Sequence, residues 1–213
     1  MQALIFDFWG TLVEQGVHSP LLQAQEILDI RLPFSQYVVR MEKAMMTQPF
    51  PELKEAFAAV CQEFRKTCDD QQLEQLVGMW NKSWMLAQPY EETREMLEEL
   101  KKKYRLILVS NTDNISVSRV LEKFKLETFF ERKFLSFELG KLKTDRSFFD
   151  FILDECKLAI EDCVMIGDSL PSDIMPAKKI GMKAVLVDRK NKRDFSPKII
   201  NLRELEPVME QVL

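Results

Sequence analysis

Six polar or charged side chains lie at or shortly after the ends of apolar segments, where short strands are expected to finish. They are Asp7, Ser110, Asn111, Lys143, Asp168 and Asp173. Ligands of open α/β sheets bind beyond the carboxyl ends of parallel strands, so these side chains are expected to meet at one edge of a sheet. Carboxylate oxygens are good ligands of Mg²⁺, and a lysine ammonium attracts phosphate as a point charge. The set therefore predicts a site for a divalent cation and an anionic group.

The elements that must position these residues alternate along the chain. Apolar, β-rich segments predict strands at 3–8, 105–110, 133–137, 163–167 and 184–187. Amphipathic patterns predict helices at 91–103, 114–124, 145–156 and 173–180. Continuous apolar runs are typical of parallel strands that are buried on both faces. Their alternation with helices predicts an α/β fold with a Rossmann-like, doubly wound parallel sheet.

One long interval, from about residue 14 to residue 88, interrupts this alternation. It has no strand pattern, and its apolar residues recur at helical spacing. The first such stretch contains Phe34, Tyr37, Val38, Met41 and Met45. Prolines that mark the breaks between helices stand at Pro20, Pro33, Pro49 and Pro51. We therefore expect an all-helical domain at 14–88, inserted into a core formed by 1–13 and 89–213.

Length and composition narrow the class of protein. The chain has 213 residues, of which 46% are hydrophobic and 30% charged, which suits a core domain with an insert. A net charge of −4 gives no reason to expect a nucleic acid or an anionic membrane as partner. No apolar run approaches the ~20 residues that a membrane span needs. The first apolar run contains Asp7, which indicates a strand and not a signal peptide, and we expect a cytoplasmic protein.

The cysteines and the histidine argue against a zinc site. Cys61, Cys68, Cys156 and Cys163 form no CxxC pair, and His18 is the only histidine. Four free thiols in a reducing compartment are the simplest expectation. The oligomeric state cannot be predicted from these features.

Four segments resemble the motifs of the haloacid dehalogenase superfamily of aspartate-nucleophile hydrolases. They are Asp7-Phe8-Trp9-Gly10-Thr11 (D-x-x-G-T), Ser110-Asn111-Thr112, Gly140-Lys141-Leu142-Lys143-Thr144-Asp145 (G-x-x-K-P-D, with Thr144 in place of proline) and Gly167-Asp168-Ser169-Leu170-Pro171-Ser172-Asp173-Ile174 (G-D-S-x-x-x-D-I). They occur in the order and spacing of that family, and the helical insert lies where the family places a mobile cap. The resemblance therefore covers most of the chain.

This resemblance implies a nucleophile and a metal site. Asp7 would attack phosphorus and form an aspartyl-phosphate that water then hydrolyses. The implied ligands of Mg²⁺ are Asp7, the backbone carbonyl of Trp9 and Asp168, together with Asp173, which would bind through water or orient the direct ligands. The implied function is a Mg²⁺-dependent hydrolase, in the first place a phosphatase of small phosphorylated metabolites.

The resemblance also implies which groups bind the phosphoryl oxygens. Ser110 and the N–H of Asn111 would hold them. Lys143 would neutralise charge on the nucleophile and on the phosphoryl group, which stabilises the transition state.

Trp9 departs from the phosphatases of this family, which carry a second Asp two residues after the nucleophile. That Asp protonates the leaving oxygen and then activates the hydrolytic water. An indole N–H is only a hydrogen-bond donor and moves no proton near neutral pH. Loss of a general acid–base typically costs ~10²–10⁴ in rate, so the proton carrier becomes the open question.

Three interpretations of Trp9 remain open. The first keeps phosphatase chemistry, with His18 or Glu14 as the proton carrier, or with an acyl or aryl phosphate whose leaving group needs no proton. The second is hydrolysis of a carbon–halogen bond, because dehalogenases of the family carry an aromatic residue here. Those enzymes, however, work without Mg²⁺ and lack the acidic pair Asp168 and Asp173. The third is a non-catalytic module that binds metal and phosphate.

Overall fold

The computed structural model describes residues 2–212, which form a six-stranded parallel sheet and a separate two-stranded ladder. The strands are β1 (Ala3–Phe6), β2 (Val13–Glu14), β3 (Gln88–Pro89), β4 (Arg105–Ser110), β5 (Arg132–Leu135), β6 (Cys163–Gly167), β7 (Lys183–Val187) and β8 (Lys198–Ile199). The large sheet has the order β5-β4-β1-β6-β7-β8, and β1 pairs in parallel with β4 and β6. The first strand therefore lies inside the sheet, where the chain's winding reverses direction.

Helices make up most of the remaining structure. They are α1 (Pro20–Ile27), α2 (Phe34–Met46), α3 (Leu53–Glu63), α4 (Asp70–Met85), α5 (Thr93–Leu100), α6 (Ser116–Phe124), α7 (Ser136–Leu139), α8 (Arg146–Cys156), α9 (Met175–Lys179) and α10 (Leu205–Val212). Short 3₁₀ turns occur at Leu126–Phe129, Ile160–Asp162 and Leu202–Glu204, and one π turn at Leu170–Ile174. Within residues 2–212, no helix is both long enough and apolar enough to cross a membrane.

The large sheet is buried on both faces, as continuous apolar strands require. On one face, Leu4 and Phe6 of β1 pack with residues of α5, α6 and α10. On the other face, Ala3 and Ile5 pack with residues of α8 and α9. Successive side chains of a strand point to opposite faces, so β1 contributes to both layers of the core. The predicted α/β fold with a doubly wound parallel sheet is confirmed.

Helices α1–α4, which we call the helical segment, have a hydrophobic cluster of their own. Tyr37, Met41 and Met45 of α2 are fully buried there against Phe57 of α3 and Leu76 of α4. The start of α4 is fixed by a capping box, in which Asp69 accepts from the N–H of Gln72 and Gln72 accepts from the N–H of Asp69. The segment thus carries a core separate from the two layers of the sheet.

The two connections between the sheet and the helical segment lie side by side. β2 and β3 pair antiparallel, with Val13 opposite Pro89 and Glu14 opposite Gln88. Beside this ladder the two chain segments come so close that a Cβ on Gly16 would lie 2.3 Å from the Cβ of Leu86. Only a glycine at position 16 fits this approach.

The predicted element boundaries differ from the observed ones at several places. The strand predicted at 3–8 ends at Phe6, and the strand predicted at 133–137 gives way to helix α7 at Ser136. β2, β3 and β8 were not predicted, because two residues are too few to establish an alternating pattern. All five predicted strands nevertheless occur, in the large parallel sheet.

The expectation of four free thiols is wrong for two of them. Cys61 and Cys68 form a disulfide, whereas Cys156 and Cys163 are free and buried. After α3 the backbone turns at Arg65, which has a φ of 53°, and the N–H of Lys66 donates to the carbonyl of Cys61 at 2.8 Å. This reversal brings the two cysteine Cα atoms to 6.4 Å, within the span of a disulfide.

Candidate active site

Asp7 stands directly beyond the inner strand of the sheet. Its N–H donates to the carbonyl of Ile166 at 2.9 Å, which extends the pairing of β1 with β6 by one residue. One carboxylate oxygen, Oδ2, accepts from the hydroxyl of Thr11 at 3.1 Å. The residue is only 4% exposed. The sheet therefore fixes both the backbone and the orientation of this carboxylate.

Lys143 lies between two carboxylates that come from different strand ends. Its Nζ is 2.6 Å from Oδ1 of Asp7 and 2.5 Å from Oδ1 of Asp173. Burial alone would lower the pKa of Lys143, but the Asp173 and Asp7 carboxylates outweigh this effect and raise it. The lysine is therefore a fixed, buried positive charge beside the carboxylate predicted to be the nucleophile.

Three carboxylates converge beside this lysine. Asp7, Asp168 and Asp173 each offer an oxygen, and these oxygens lie within 4.8 Å of one another. Burial raises the pKa of Asp7 to about 6, against the opposing charge of Lys143. Desolvation and the charges of Asp7 and Asp173 raise the pKa of Asp168 well above its ordinary value. The raised pKa values of Asp7 and Asp168 mean that one lysine does not compensate three ionised carboxylates, and a bound cation would supply the missing positive charge.

Two glycines allow two of these acids to lie directly against the backbone. A Cβ on Gly10, whose φ is 78°, would lie 2.4 Å from Oδ2 of Asp168. A Cβ on Gly167 would lie 2.4 Å from Oδ2 of Asp173. The carbonyl of Trp9, beside Gly10, accepts no hydrogen bond from the residues that the structure describes. Converging hard oxygen donors fit the Mg²⁺ predicted from the sequence.

Gly10→Ala is expected to weaken the binding of Mg²⁺ by about 10–100-fold, because the added methyl group displaces Asp168 and strains the backbone. Calorimetric titration of the purified protein with MgCl₂ measures this affinity. The matched control is Gly78→Ala, because a Cβ on Gly78 meets no atom within 4 Å. Wild-type affinity in a folded Gly10→Ala protein would contradict the assignment of Asp168 to the cation site.

Asn111 links the sheet to the helical segment. Its Oδ1 accepts from the N–H of Lys143 at 3.0 Å, and its Nδ2 donates to Oε2 of Glu42 at 2.8 Å. Ser110 is fully buried beneath the site, and its hydroxyl donates only a long bond of 3.5 Å to the carbonyl of Asn111. Of the six residues predicted from strand ends, the structure places all but Ser110 on the wall of one cavity.

This cavity of about 470 Å³ lies between the strand ends and the helical segment. The sheet side contributes the acids, Lys143 and Trp9; the indole N–H of Trp9 donates to the hydroxyl of Thr112 at 3.3 Å. The helical segment contributes mainly apolar side chains. They are Pro20, Leu21, Phe34, Val38, Met46, Trp80 and Trp84. The cavity is thus charged at its floor and apolar at its roof.

Neither proton carrier considered from the sequence lines this cavity. His18 and Glu14 are exposed and line a neighbouring surface depression, which they share with Gly10 and Asp168. Sequence reasoning missed another acid, Glu42 of α2, which is 7% exposed and does line the cavity. A signal for it exists, because Glu42 falls four residues after Val38 and four before Met46, on an otherwise apolar row of the helix.

The fold and the site together define a class: an α/β protein whose acids and single lysine meet beyond the inner strands of a parallel sheet. A family model described as haloacid dehalogenase-like hydrolase matches residues 1–181. The chain belongs to this family of hydrolases.

Similar proteins cover the chain to different extents. Human N-acylneuraminate-9-phosphatase is 31% identical over 101 residues, which are 47% of this chain and 41% of that protein. Glyceraldehyde 3-phosphate phosphatase of Methanothermobacter thermautotrophicus is 32% identical over 114 residues, which are 53% of this chain and 50% of that protein. The chain thus spans about half or less of the length of these relatives.

A solved structure shows the same fold over nearly the whole chain. The HAD-hydrolase YfnB from Bacillus subtilis, bound to magnesium, superposes with a TM-score of 0.68 at 20% identity and covers 98% of both chains. The likeness extends through the helical segment as well as the sheet.

Proposed function

We propose that this hydrolase is a Mg²⁺-dependent phosphatase of small phosphorylated molecules that acts through an aspartyl-phosphate on Asp7. The observation that carries the proposal is the buried group formed by Asp7, Lys143, Asp168 and Asp173, in which one lysine touches two acids and a third lies beside them. A phosphoryl group needs an in-line nucleophile and compensating positive charge, and this group of side chains supplies the first and part of the second.

Each side chain has a defined task in this proposal. A carboxylate oxygen of Asp7 attacks phosphorus, and the bond from phosphorus to the leaving oxygen breaks. Lys143 holds Asp7 in place and stabilises charge that develops on the phosphoryl oxygens. Asn111 orients those oxygens, and its place on the cavity wall and its hydrogen bond from the N–H of Lys143 support this role. Ser110 is assigned to the same task from its sequence motif alone, since it lies buried beneath the cavity wall.

The metal site is proposed at Asp7, the carbonyl of Trp9, Asp168 and Asp173. Mg²⁺ held by these groups would supply positive charge to the phosphoryl group. Asp173 also accepts from the N–H of Ser169 at 3.0 Å, so its carboxylate is held by the turn that carries it. The acids are thereby oriented before the substrate arrives.

The domain division proposed is a core of 1–13 and 89–213 with a helical cap at 14–88. The separate hydrophobic cluster of the helical segment and the β2–β3 ladder at its ends support it. The apolar roof of the cavity would exclude water and select the substrate. A cytoplasmic location stays a prediction, and the Cys61–Cys68 disulfide is of a kind rare in cytosolic proteins.

The relatives favour phosphate over halide. Two of them are named as phosphatases, of N-acylneuraminate 9-phosphate and glyceraldehyde 3-phosphate, which makes sugar-type phosphates the first substrates to test. Trp9 favours the second candidate, a carbon–halogen hydrolase. The acidic pair Asp168 and Asp173 favours a metal site and therefore phosphate.

A substrate panel separates the two candidates. Acetyl phosphate, p-nitrophenyl phosphate, glyceraldehyde 3-phosphate and 2-chloropropionate are each incubated with the protein in Mg²⁺ and in EDTA. We expect release of phosphate that falls by at least about 10²-fold in EDTA, since a bound metal contributes several kcal/mol of charge stabilisation. Chloride release that is insensitive to EDTA would replace the phosphatase with the dehalogenase.

A further inference from the structure

Glu42 is the one ionisable side chain that the helical segment contributes to the cavity, among the residues that the structure describes. It lies in the second half of α2, and it lines the same cavity as Asp7, Trp9 and Lys143. A carboxyl group in an apolar roof is costly to bury unless it has a partner or a function.

The contacts of Glu42 fix one of its oxygens and leave the other free. Oε2 accepts from Nδ2 of Asn111 at 2.8 Å. Oε1 makes no hydrogen bond with the side chains and backbone that the structure describes, and this atom is not fully enclosed. The carboxyl group is therefore held in a defined orientation, with one oxygen available to a molecule in the cavity.

Burial, modified by the neighbouring charges, brings the pKa of Glu42 close to neutral pH. Burial raises the pKa of Glu42 to about 7, while the Lys143 ammonium and the hydrogen bond from Asn111 oppose the rise. The Asp173 and Asp7 carboxylates raise it further. Asp113, Asp168 and Arg193 are the other charged residues on the cavity wall. A carboxyl group in this range is able both to give and to accept a proton at pH 7.

We propose that Glu42 is the catalytic proton carrier of this enzyme and takes the role of the Asp that Trp9 replaces. The proposal rests on the phosphatase function proposed above. It also explains why neither His18 nor Glu14 is needed, since both are outside the cavity.

The proton balance closes over the two steps. In the first, Asp7 bonds to phosphorus, the bond to the leaving oxygen breaks, and protonated Glu42 gives its proton to that oxygen, which leaves as an alcohol. In the second, water attacks phosphorus as the Glu42 carboxylate takes a proton from it, and the bond between Asp7 and phosphorus breaks. Inorganic phosphate leaves, and both side chains return to their starting states.

Glu42→Gln tests the proposal, because glutamine keeps the size of the side chain and its acceptor for Asn111 but carries no proton to transfer. With glyceraldehyde 3-phosphate, turnover is expected to fall by ~10²–10⁴. With p-nitrophenyl phosphate, whose leaving group needs no proton, rapid mixing is expected to give a burst of p-nitrophenolate within about threefold of the wild-type rate. The burst is followed by slow turnover, because the second step lacks its base, and the phosphoenzyme accumulates and is trapped by hydroxylamine.

The matched control is Glu55→Gln, which neutralises an exposed acid of α3 and is expected to behave as wild type with both substrates. Binding of vanadate to Glu42→Gln at wild-type affinity verifies that the site is intact. Undiminished turnover of glyceraldehyde 3-phosphate by Glu42→Gln would overturn the proposal while the phosphatase function stands. Equal loss of the burst and of alkyl phosphate turnover would also overturn it. A wild-type protein inactive on every phosphate would remove the proposed function, and this inference with it.

Discussion

Asp7→Asn is expected to abolish phosphatase turnover, with a loss of at least about 10⁴-fold, because an amide is no nucleophile toward phosphorus. Loss of one member of a group of cooperating catalytic residues typically removes most of the rate that the whole group provides. The variant is expected to fold. Burial raises the pKa of Asp7 to about 6, so at pH 7 the ionised carboxylate is less favourable in the folded than in the unfolded chain. The uncharged amide should therefore not lower the Tm of the metal-free protein.

Steady-state phosphate release and thermal unfolding in EDTA measure these two effects in one preparation. Asp194→Asn, which makes the same change at an exposed position, is the control and should keep full activity. Formation of a hydroxylamine-sensitive phosphoenzyme by Asp7→Asn would show that another residue is the nucleophile.

Lys143→Met is expected to damage both stability and activity. The ammonium touches Asp7 and Asp173, and its loss leaves two buried carboxylates without a cation. Removal of one partner of a buried ion pair costs about 3–5 kcal/mol, which for a chain of this size lowers Tm by roughly 6–20 °C. Turnover should fall by at least about 10²-fold, because the charge that stabilises the transition state is gone.

Thermal unfolding of the metal-free protein and phosphate release with Mg²⁺ test this expectation. The control is Lys141→Met, which removes a neighbouring lysine that touches neither Asp7 nor Asp173. The double variant Lys143→Met with Asp7→Asn should be more stable than Lys143→Met alone, since one uncompensated charge has been removed. Equal Tm values for Lys143→Met and wild type would show that the lysine does not hold the acids.

The parts of the site that the sequence predicts are those fixed by the sheet. Asp7, Lys143, Asp168 and Asp173 follow parallel strands, and the ends of such strands share one edge whatever the helices do. Small errors in strand boundaries, such as the early end of β1 at Phe6, therefore leave the predicted site intact.

The parts that could not be predicted depend on packing between distant elements. The position of Ser110 beneath the cavity depends on which face of β4 it occupies, and the neighbouring Asn111 is the one exposed to the site. Glu42 belongs to the site only because α2 lies over the end of β4. Cys61 and Cys68 meet only because the backbone reverses at Arg65. None of these arrangements follows from local periodicity.

The helical segment reaches the sheet at the loop that follows β4. Besides Asn111, which binds Glu42, Asp113 accepts from the indole N–H of Trp80 at 3.0 Å. Asn114 exchanges two hydrogen bonds with the backbone of Phe50, at 2.9 Å and 3.0 Å. Three helices or their connections therefore meet one loop, so substitutions in that loop are expected to affect substrate selection as well as chemistry.

The antiparallel pairing of Val13 with Pro89 and of Glu14 with Gln88 gives the molecule a modular construction. Because β2 and β3, which flank the helical segment, lie side by side, the large sheet can form whatever chain connects them. Doubling the length of such an excursion costs only about 0.6 kcal/mol of closure entropy. Helices can therefore be exchanged or lengthened between β2 and β3 while the strand ends keep their order. The same catalytic core can thus be combined with helical insertions that select different substrates.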